Sequence, residues 1–229
     1  MSQPAPVVFL FDVDNTLLDN DSITADLKRH LSKVFGAECQ ERYFAIFEEL
    51  RARLGYADYL GALQQYRVEH PREPYLVELS YFLLEYPFAD RLFPGALDVI
   101  ARLSAWGPTV ILSDGDVVFQ PRKVRRSGIY DAVAGRVLIY VHKEEQLDDV
   151  EKRYPARHYV FVDDKVRLLA AVKKVWGPRL TTVFPRQGHY ALDAAAVSKY
   201  PPADITIDRI GDLIKYDLPA LVDAGSAGT

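Results

Sequence analysis

The stretch from Val7 to Thr16, Val-Val-Phe-Leu-Phe-Asp-Val-Asp-Asn-Thr, constrains the fold of this chain more than any other. Its first five residues are apolar, with β-branched and aromatic side chains among them. Such a run reads as a strand buried on both faces, as in a parallel sheet. It ends in two aspartates one residue apart, Asp12 and Asp14, followed by Asn15 and Thr16. Side chains at i and i+2 share one face of a strand, but a chain leaving the strand can turn at Asp14. The two carboxylates can then converge on one point from different directions. Ligands of open α/β sheets sit at the carboxyl ends of strands, where this pair lies. Two carboxylates without a basic neighbour raise each other's pKa unless a cation sits between them. A hard divalent ion such as Mg2+ suits the place, because it takes oxygen ligands. The competing reading is a polar turn built from asparagine and aspartate, and the rest of the chain decides between the two.

Composition narrows the class. The 229 residues are 49% hydrophobic and 26% charged, which is ordinary for a globular protein. That length allows one large domain, or a core carrying a smaller insertion. The net charge is -4 with both signs interspersed, so no basic footprint for nucleic acid stands out. The densest basic stretch, Arg122-Lys123 with Arg125-Arg126, reads as a solvated helix face near an anion site. One cysteine, Cys39, excludes an internal disulfide framework and fits a reducing compartment. It reads as a small buried hydrophobe on a helix. No apolar run approaches bilayer length, and Met1-Ser2-Gln3-Pro4 does not resemble a signal peptide. The expectation is a soluble, cytoplasmic protein with no membrane and no nucleic-acid partner; monomer and homodimer both stay open.

Two rhythms follow the first strand. From Leu17 to about Phe88 apolar residues recur at helical spacing in four stripes. Ile23, Leu27, Leu31 and Val34 form the first, with Asp21 or Ser22 as cap and Gly36 as stop. Phe44, Phe47, Leu50 and Leu54 form the second, stopped at Gly55. Tyr56, Tyr59, Leu60, Leu63 and Tyr66 form the third, stopped near Pro71. Leu76, Leu79, Phe82, Leu83 and Tyr86 form the fourth, ended by Pro87. Four amphipathic helices with no strand between them predict a helical bundle spanning 19–88, inserted into a core of 1–18 and 89–229. Its tyrosines (Tyr43, Tyr56, Tyr59, Tyr66, Tyr75, Tyr81 and Tyr86) read mainly as bundle core. Asn20, Asp21, Arg51 and Arg53 are its candidate polar contacts. From Phe93 strands and helices alternate. Strands are predicted at Thr109–Leu112, Arg136–Val141, His158–Val162, Leu180–Phe184 and Ile205–Ile207, and the segment from Ala224 to Thr229 as a loose tail. Alternation of this kind predicts a doubly wound parallel sheet with right-handed crossovers, a Rossmann-like core.

Four strand ends carry polar residues to what should be one edge of that sheet. They deliver Asp12 and Asp14, then Ser113 with Asp114, then Lys143, then Asp163 and Asp164. Each has a bland reading alone: Ser113 as a helix cap, Lys143 as a solvated first-turn residue, Asp163-Asp164 as a turn. A lysine is disfavoured at the positive end of a helix, which tilts Lys143 towards function. Together, in register with strand ends, they read as one site.

In this order the motifs resemble the haloacid dehalogenase-like hydrolases, and within them the magnesium-dependent phosphatases with a helical cap after the first strand. The resemblance covers nearly the whole chain. It rests on Asp12-Val13-Asp14-Asn15-Thr16, Ser113, Lys143 and Asp163-Asp164. It implies Asp12 as nucleophile, forming an aspartyl-phosphate, and Asp14 as acid and then base. It implies Mg2+ held by Asp12, the backbone of Asp14, Asp164 and, directly or through water, Asp163. Ser113, the amides after it at Asp114, and Lys143 would bind the phosphate. The implied substrate is a small phosphorylated metabolite. A phosphomutase would use the same residues. A 2-haloacid dehalogenase fits less well, because its chemistry needs no metal and dispenses with the second acid, and a non-catalytic binding protein would not need intact acids. The chain departs from the family pattern at Leu168, where many relatives carry a further aspartate, and at Lys165, where a small hydroxyl residue is common.

Overall fold

The computed structural model describes residues 3–73 and 76–226. Tyr75 and the last three residues of the expected tail lie outside them.

Strand β1 (Ala5–Phe11) is buried from Val7 to Phe11. Four helices follow: α1 (Asn20–Phe35), α2 (Ala37–Leu54), α3 (Tyr59–Glu69) and α4 (Leu76–Glu85). A 3-10 turn at Phe88–Arg91 returns the chain to α5 (Ala96–Ser104). The core then runs through β2 (Thr109–Asp114), α6 (Phe119–Arg126), α7 (Ile129–Ala132), β3 (Val137–Tyr140) and α8 (Leu147–Arg153). It continues through β4 (Ala156–Val162), α9 (Val166–Trp176), β5 (Leu180–Pro185), α10 (Gly188–Leu192) and α11 (Ala194–Val197). It closes with β6 (Ile205–Ile207) and α12 (Leu218–Ser226).

The strands form one parallel sheet in the order β3-β2-β1-β4-β5-β6. The two halves wind outwards from β1, so the order reverses between β1 and β4, where a doubly wound sheet opens its crevice. Phe11 is level with Ile111 on one side and Val162 on the other. The residues just beyond them, Asp12 and Asp163, are therefore neighbours at that crevice.

Each face of the sheet has its own apolar layer. Phe9, Phe11, Ile111, Val160 and Val162 point to one, which continues into the helical insertion. Val8, Leu10, Val110, Leu112 and Phe161 point to the other, under α8 and α9. Removing each such side chain from water contributes roughly 1.5–3 kcal/mol.

Local chemistry explains where several boundaries differ from the sequence expectation. Asp19 caps α1: its carboxylate accepts from the Ser22 amide at 2.9 Å. That frees Asp21, expected as a cap, for contacts across the site. The third helix begins at Tyr59, not Tyr56, because the Asp58 carboxylate accepts from the Gly61 amide at 2.7 Å. Gly55 ends α2 at φ 81°, a left-handed conformation that favours glycine. Ala224 to Ser226, expected in a tail, complete α12. Gly225 lies against Leu180, and its carbonyl accepts from Lys173 Nζ at 2.9 Å.

Candidate active site

Asp12 leaves β1 with its amide bonded to the Val162 carbonyl at 3.0 Å and the residue 3% exposed. Lys143 follows β3 and opens a short 3-10 turn. Its own amide donates to the Asp114 carboxylate at 2.8 Å, which fixes the start of that turn. Its Nζ, fully buried, lies 2.5 Å from Asp12 Oδ1 and 2.6 Å from Asp163 Oδ2, and donates to the Leu112 carbonyl at 3.3 Å. Burial alone would lower the lysine pKa, but Asp12, Asp163 and Asp114 overcome it and hold the ammonium well above its ordinary value.

Asp163 and Asp164 leave β4. The Asp163 carboxylate also accepts from the Lys165 amide at 2.8 Å, and the Asp164 amide donates to Thr16 Oγ1 at 3.1 Å. The carboxylates of Asp12, Asp163 and Asp164 come together, each offering an oxygen within 4.8 Å of the others. Neither oxygen of Asp164, and not Asp12 Oδ2, has a hydrogen-bond partner among the described residues. Burial, then the charge of Asp163, pushes the Asp164 carboxyl well above the usual range. Three buried carboxylates, those of Asp12 and Asp164 with orphaned oxygens, suit a divalent cation with oxygen ligands, so the residues fit Mg2+.

The Asp14 carboxylate stands apart from this cluster. Both of its oxygens accept from Lys123 Nζ, at 2.7 and 2.9 Å. Sequence placed Lys123 on a solvated helix face, and the structure corrects this: it is 1% exposed. The signal was spacing, because Lys123 lies four residues after buried Phe119 on α6, beside Gln120 and Val124 on the inward stripe. Its neighbours Arg122 and Arg126 do reach outwards, and both pair with Glu85 of α4.

Ser113, the last residue but one of β2, has its hydroxyl 3.5 Å from Asp12 Oδ1, and the Gln120 amide donates to it at 3.0 Å. Gln120 is a second residue of the site that sequence reasoning passed over. The Asp114 side chain faces the Lys143 amide, and its backbone follows Ser113 at the edge.

The loop after Asp14 is pinned from several sides. Asn15 takes φ 60°, and its side chain exchanges hydrogen bonds with Asp21 at 3.0 and 3.1 Å. Asp21 in turn accepts from the His189 amide at 2.8 Å. A Cβ at Gly188 would come within 2.4 Å of Asn15, so only glycine lets α10 approach this loop.

The insertion covers this edge. A cavity of about 370 Å³ lies between it and the core, lined by Asp14, Asn20, Asp21, Arg51, Tyr59 and Lys165 among others. Of the candidate polar contacts Asn20, Asp21 and Arg51 reach this cavity, while Arg53 is exposed outside it. Arg51 contacts the Tyr190 hydroxyl across the gap. Lys165 lies 5.1 Å from the centre of that ring and, although burial opposes it, Asp12, Asp164 and Asp163 keep it well charged. Leu168, at the position where the family pattern carries an acid, is a fully buried apolar residue of α9. Among the described residues no helix is long and apolar enough to cross a membrane.

The chain is similar to several known proteins. The sequence model of the haloacid dehalogenase-like hydrolases matches residues 7–175. A solved structure from Burkholderia xenovorans, described as a haloacid dehalogenase-like hydrolase, is 64% identical, with a TM-score of 0.90 over 93% of this chain and 100% of that one. The HAD-hydrolase YfnB of Bacillus subtilis, solved bound to magnesium, is 18% identical with a TM-score of 0.62, over 92% of this chain and 98% of that one. An L-2-haloacid dehalogenase of Xanthobacter autotrophicus is 21% identical with a TM-score of 0.58, over 92% and 97%. These last two share the fold. No curated protein matches the chain.

Proposed function

Because this chain belongs to the haloacid dehalogenase-like hydrolases, we propose that it is a Mg2+-dependent phosphatase acting on a small phosphomonoester. The observation that carries this reading is Asp164, a buried carboxylate with both oxygens unpartnered, beside Asp12 and Asp163. An uncompensated buried charge is costly, and a divalent cation relieves it. Haloacid displacement has no use for such a site.

Asp12 attacks phosphorus and the ester P–O bond breaks, leaving an aspartyl-phosphate. Asp14, exposed to the cavity, gives its proton to the departing alcohol oxygen and later takes one from the attacking water. Lys143 holds Asp12 aimed and supplies fixed positive charge where negative charge gathers. The Ser113 hydroxyl, turned by Gln120, donates to a phosphate oxygen. Asp12, Asp163 and Asp164 would hold Mg2+ with the main-chain oxygen of Asp14, and the ion would neutralise charge between nucleophile and phosphate. A reducing cytoplasm suits the single buried cysteine and a phosphorylated metabolite as substrate.

The test is phosphate release from p-nitrophenyl phosphate and a metabolite panel, with Mg2+ and with EDTA, for wild type and Asp12→Asn. Release that needs Mg2+ and vanishes in the variant is expected. Halide release from a 2-haloacid in EDTA, without phosphate release, would overturn the proposal.

A further inference from the structure

Asp14 is the acid of this site whose carboxylate takes no part in the cation cluster, and Lys123, which holds that carboxylate, is not among the residues lining the cavity. We propose that Lys123 is the positioning residue of the general acid, and that it is tied to the cap through Asn20 and Tyr59. This rests on the phosphatase reading given above.

Lysine carries three ammonium protons, and Lys123 uses all three within this site. Two go to the oxygens of Asp14, at 2.7 and 2.9 Å, and the third to Asn20 Oδ1 at 3.0 Å. The rings of Phe119 and Tyr59 flank the ammonium, with centres 5.3 and 5.9 Å away. Three donors aimed at fixed acceptors leave the Asp14 carboxylate little freedom. A buried charge is weak support for stability, and an apolar side chain would fill the same inward stripe of α6 beside Phe119 and Val124. What the lysine adds is the orientation of one carboxylate and a charge behind it.

The third bond leads into the cap. Asn20 is the first residue of α1, and its amide donates to Tyr59 Oη at 3.3 Å. Tyr59 is the first residue of α3, and its hydroxyl also meets Thr24 Oγ1 at 2.8 Å. The path from Asp14 through Lys123 and Asn20 thus ends on two cap helices. The acid is aimed when the cap stands over the edge as it does here.

In the first step the Asp14 proton passes to the ester oxygen as the P–O bond breaks. Lys123 faces the carboxylate that remains and stabilises it. In the second step that carboxylate takes a proton from water as the water oxygen attacks phosphorus and the aspartyl O–P bond breaks, freeing the Asp12 carboxylate and releasing inorganic phosphate. The help of Lys123 therefore grows as the leaving oxygen becomes more basic and its need for a proton rises.

The experiment compares kcat/KM for p-nitrophenyl, phenyl and benzyl phosphate, in order of worsening leaving group. Wild type, Lys123→Met and Asn20→Ala are measured with Mg2+, and a melting curve is taken for each. Lys123→Met is expected to lose about a hundredfold on benzyl phosphate and less than about tenfold on p-nitrophenyl phosphate. Asn20→Ala, which leaves the ion pair in place, should show the same ordering with smaller losses. It carries the test if Lys123→Met does not fold. Equal losses on all three esters, or none, overturn the role of Lys123. A wild type that cleaves none of the three overturns the phosphatase reading and this inference with it.

Discussion

The catalytic edge of the core and the cap above it treat charge in opposite ways. At the edge Asp12, Lys143, Asp163 and Asp164 are all buried, and three carboxylates outnumber the one ammonium among them. In the cap the ion pairs are exposed and matched, as where Arg42 meets Glu69 and Glu49. The cap interior is aromatic, with Tyr43, Phe44, Phe47 and Tyr59 packed ring to ring. The edge holds a strained, electrically unbalanced arrangement in a rigid sheet, ready for a cation and an anion from outside. The cap is an ordinary small bundle whose own charges ask for nothing. The unbalanced charges thus belong to the sheet edge, while the insertion supplies an aromatic cover and, through Asn20, one tie to the Lys123–Asp14 pair.

The strongest way to break this contrast is to unbalance the edge further. Lys143→Met leaves Asp12 and Asp163 buried with no cation, which should destabilise the fold by about 3–5 kcal/mol. It should also lower kcat by about 10²–10³, the scale for losing one fixed electrostatic partner. Urea unfolding and phosphate release measure the two. A variant as stable as wild type would mean that the edge is not held by this lysine.

Leu31→Ala strikes the cap instead. Leu31 is fully buried on α1, and truncation of such a residue costs about 2–5 kcal/mol. The expected outcome is lower cap stability in hydrogen exchange, a raised KM and a kcat near the wild-type value. A kcat loss as large as that of Lys143→Met would dissolve the division of labour.

Asp164→Asn removes the charge but keeps the shape. In EDTA the variant should be more stable than wild type by about 1–3 kcal/mol, because it no longer buries an unpaired carboxylate. Mg2+ at a hundred times its Kd should stabilise wild type by about 2.7 kcal/mol and the variant hardly at all. The pH dependence has a definite sign. Burial, against the pull of Lys143, pushes Asp163 from 3.8 up to about 6. The folded protein then binds that proton more tightly than the unfolded chain. Its contribution in EDTA is full near pH 4 and is lost as pH rises through about 6. Mg2+ should flatten this slope, and thermal melts across pH 4–7 read it directly.

How much of this was legible beforehand depended on the kind of residue. Strands such as Val7–Phe11 and His158–Val162 announce themselves because burial on both faces demands continuous apolar runs. The acids at their ends were visible because an apolar strand has no use for them. Lys123 was hidden by its neighbours: among Arg122, Arg125 and Arg126 a lysine reads as solvated, and only its place on the stripe of Phe119 and Val124 betrays burial. Asp21 was hidden differently. It stands where a cap is expected, but Asp19 takes the Ser22 amide first, and Asp21 ties back to Asn15 and across 168 residues of sequence to His189. Local propensity carries no information about partners that distant.

The smallest effect tests the cap's attachment. Glu85 of α4 pairs with Arg122 and Arg126 of α6, and its own side chain is 56% exposed. Exposed pairs of this kind are worth little, since solvent screens them and the side chains lose freedom. Glu85→Gln should therefore lower stability by less than about 1 kcal/mol, and the difference should shrink further as salt is raised. Melting curves of variant and wild type at low and high NaCl give the comparison. A loss of several kcal/mol that persists at high salt would mean that the cap is clamped by charge as firmly as the edge beneath it. A small, salt-sensitive loss fits a cap joined to the core chiefly by packing and by its two hinge segments, where the Asp19 amide meets the Arg91 carbonyl at 2.8 Å and the Phe93 amide meets the Leu17 carbonyl at 2.9 Å. Such a cap is free to lift and admit substrate without disturbing the buried cluster of Asp12, Lys143, Asp163 and Asp164, while the Lys123–Asn20 bond behind Asp14 is made with the cap in place.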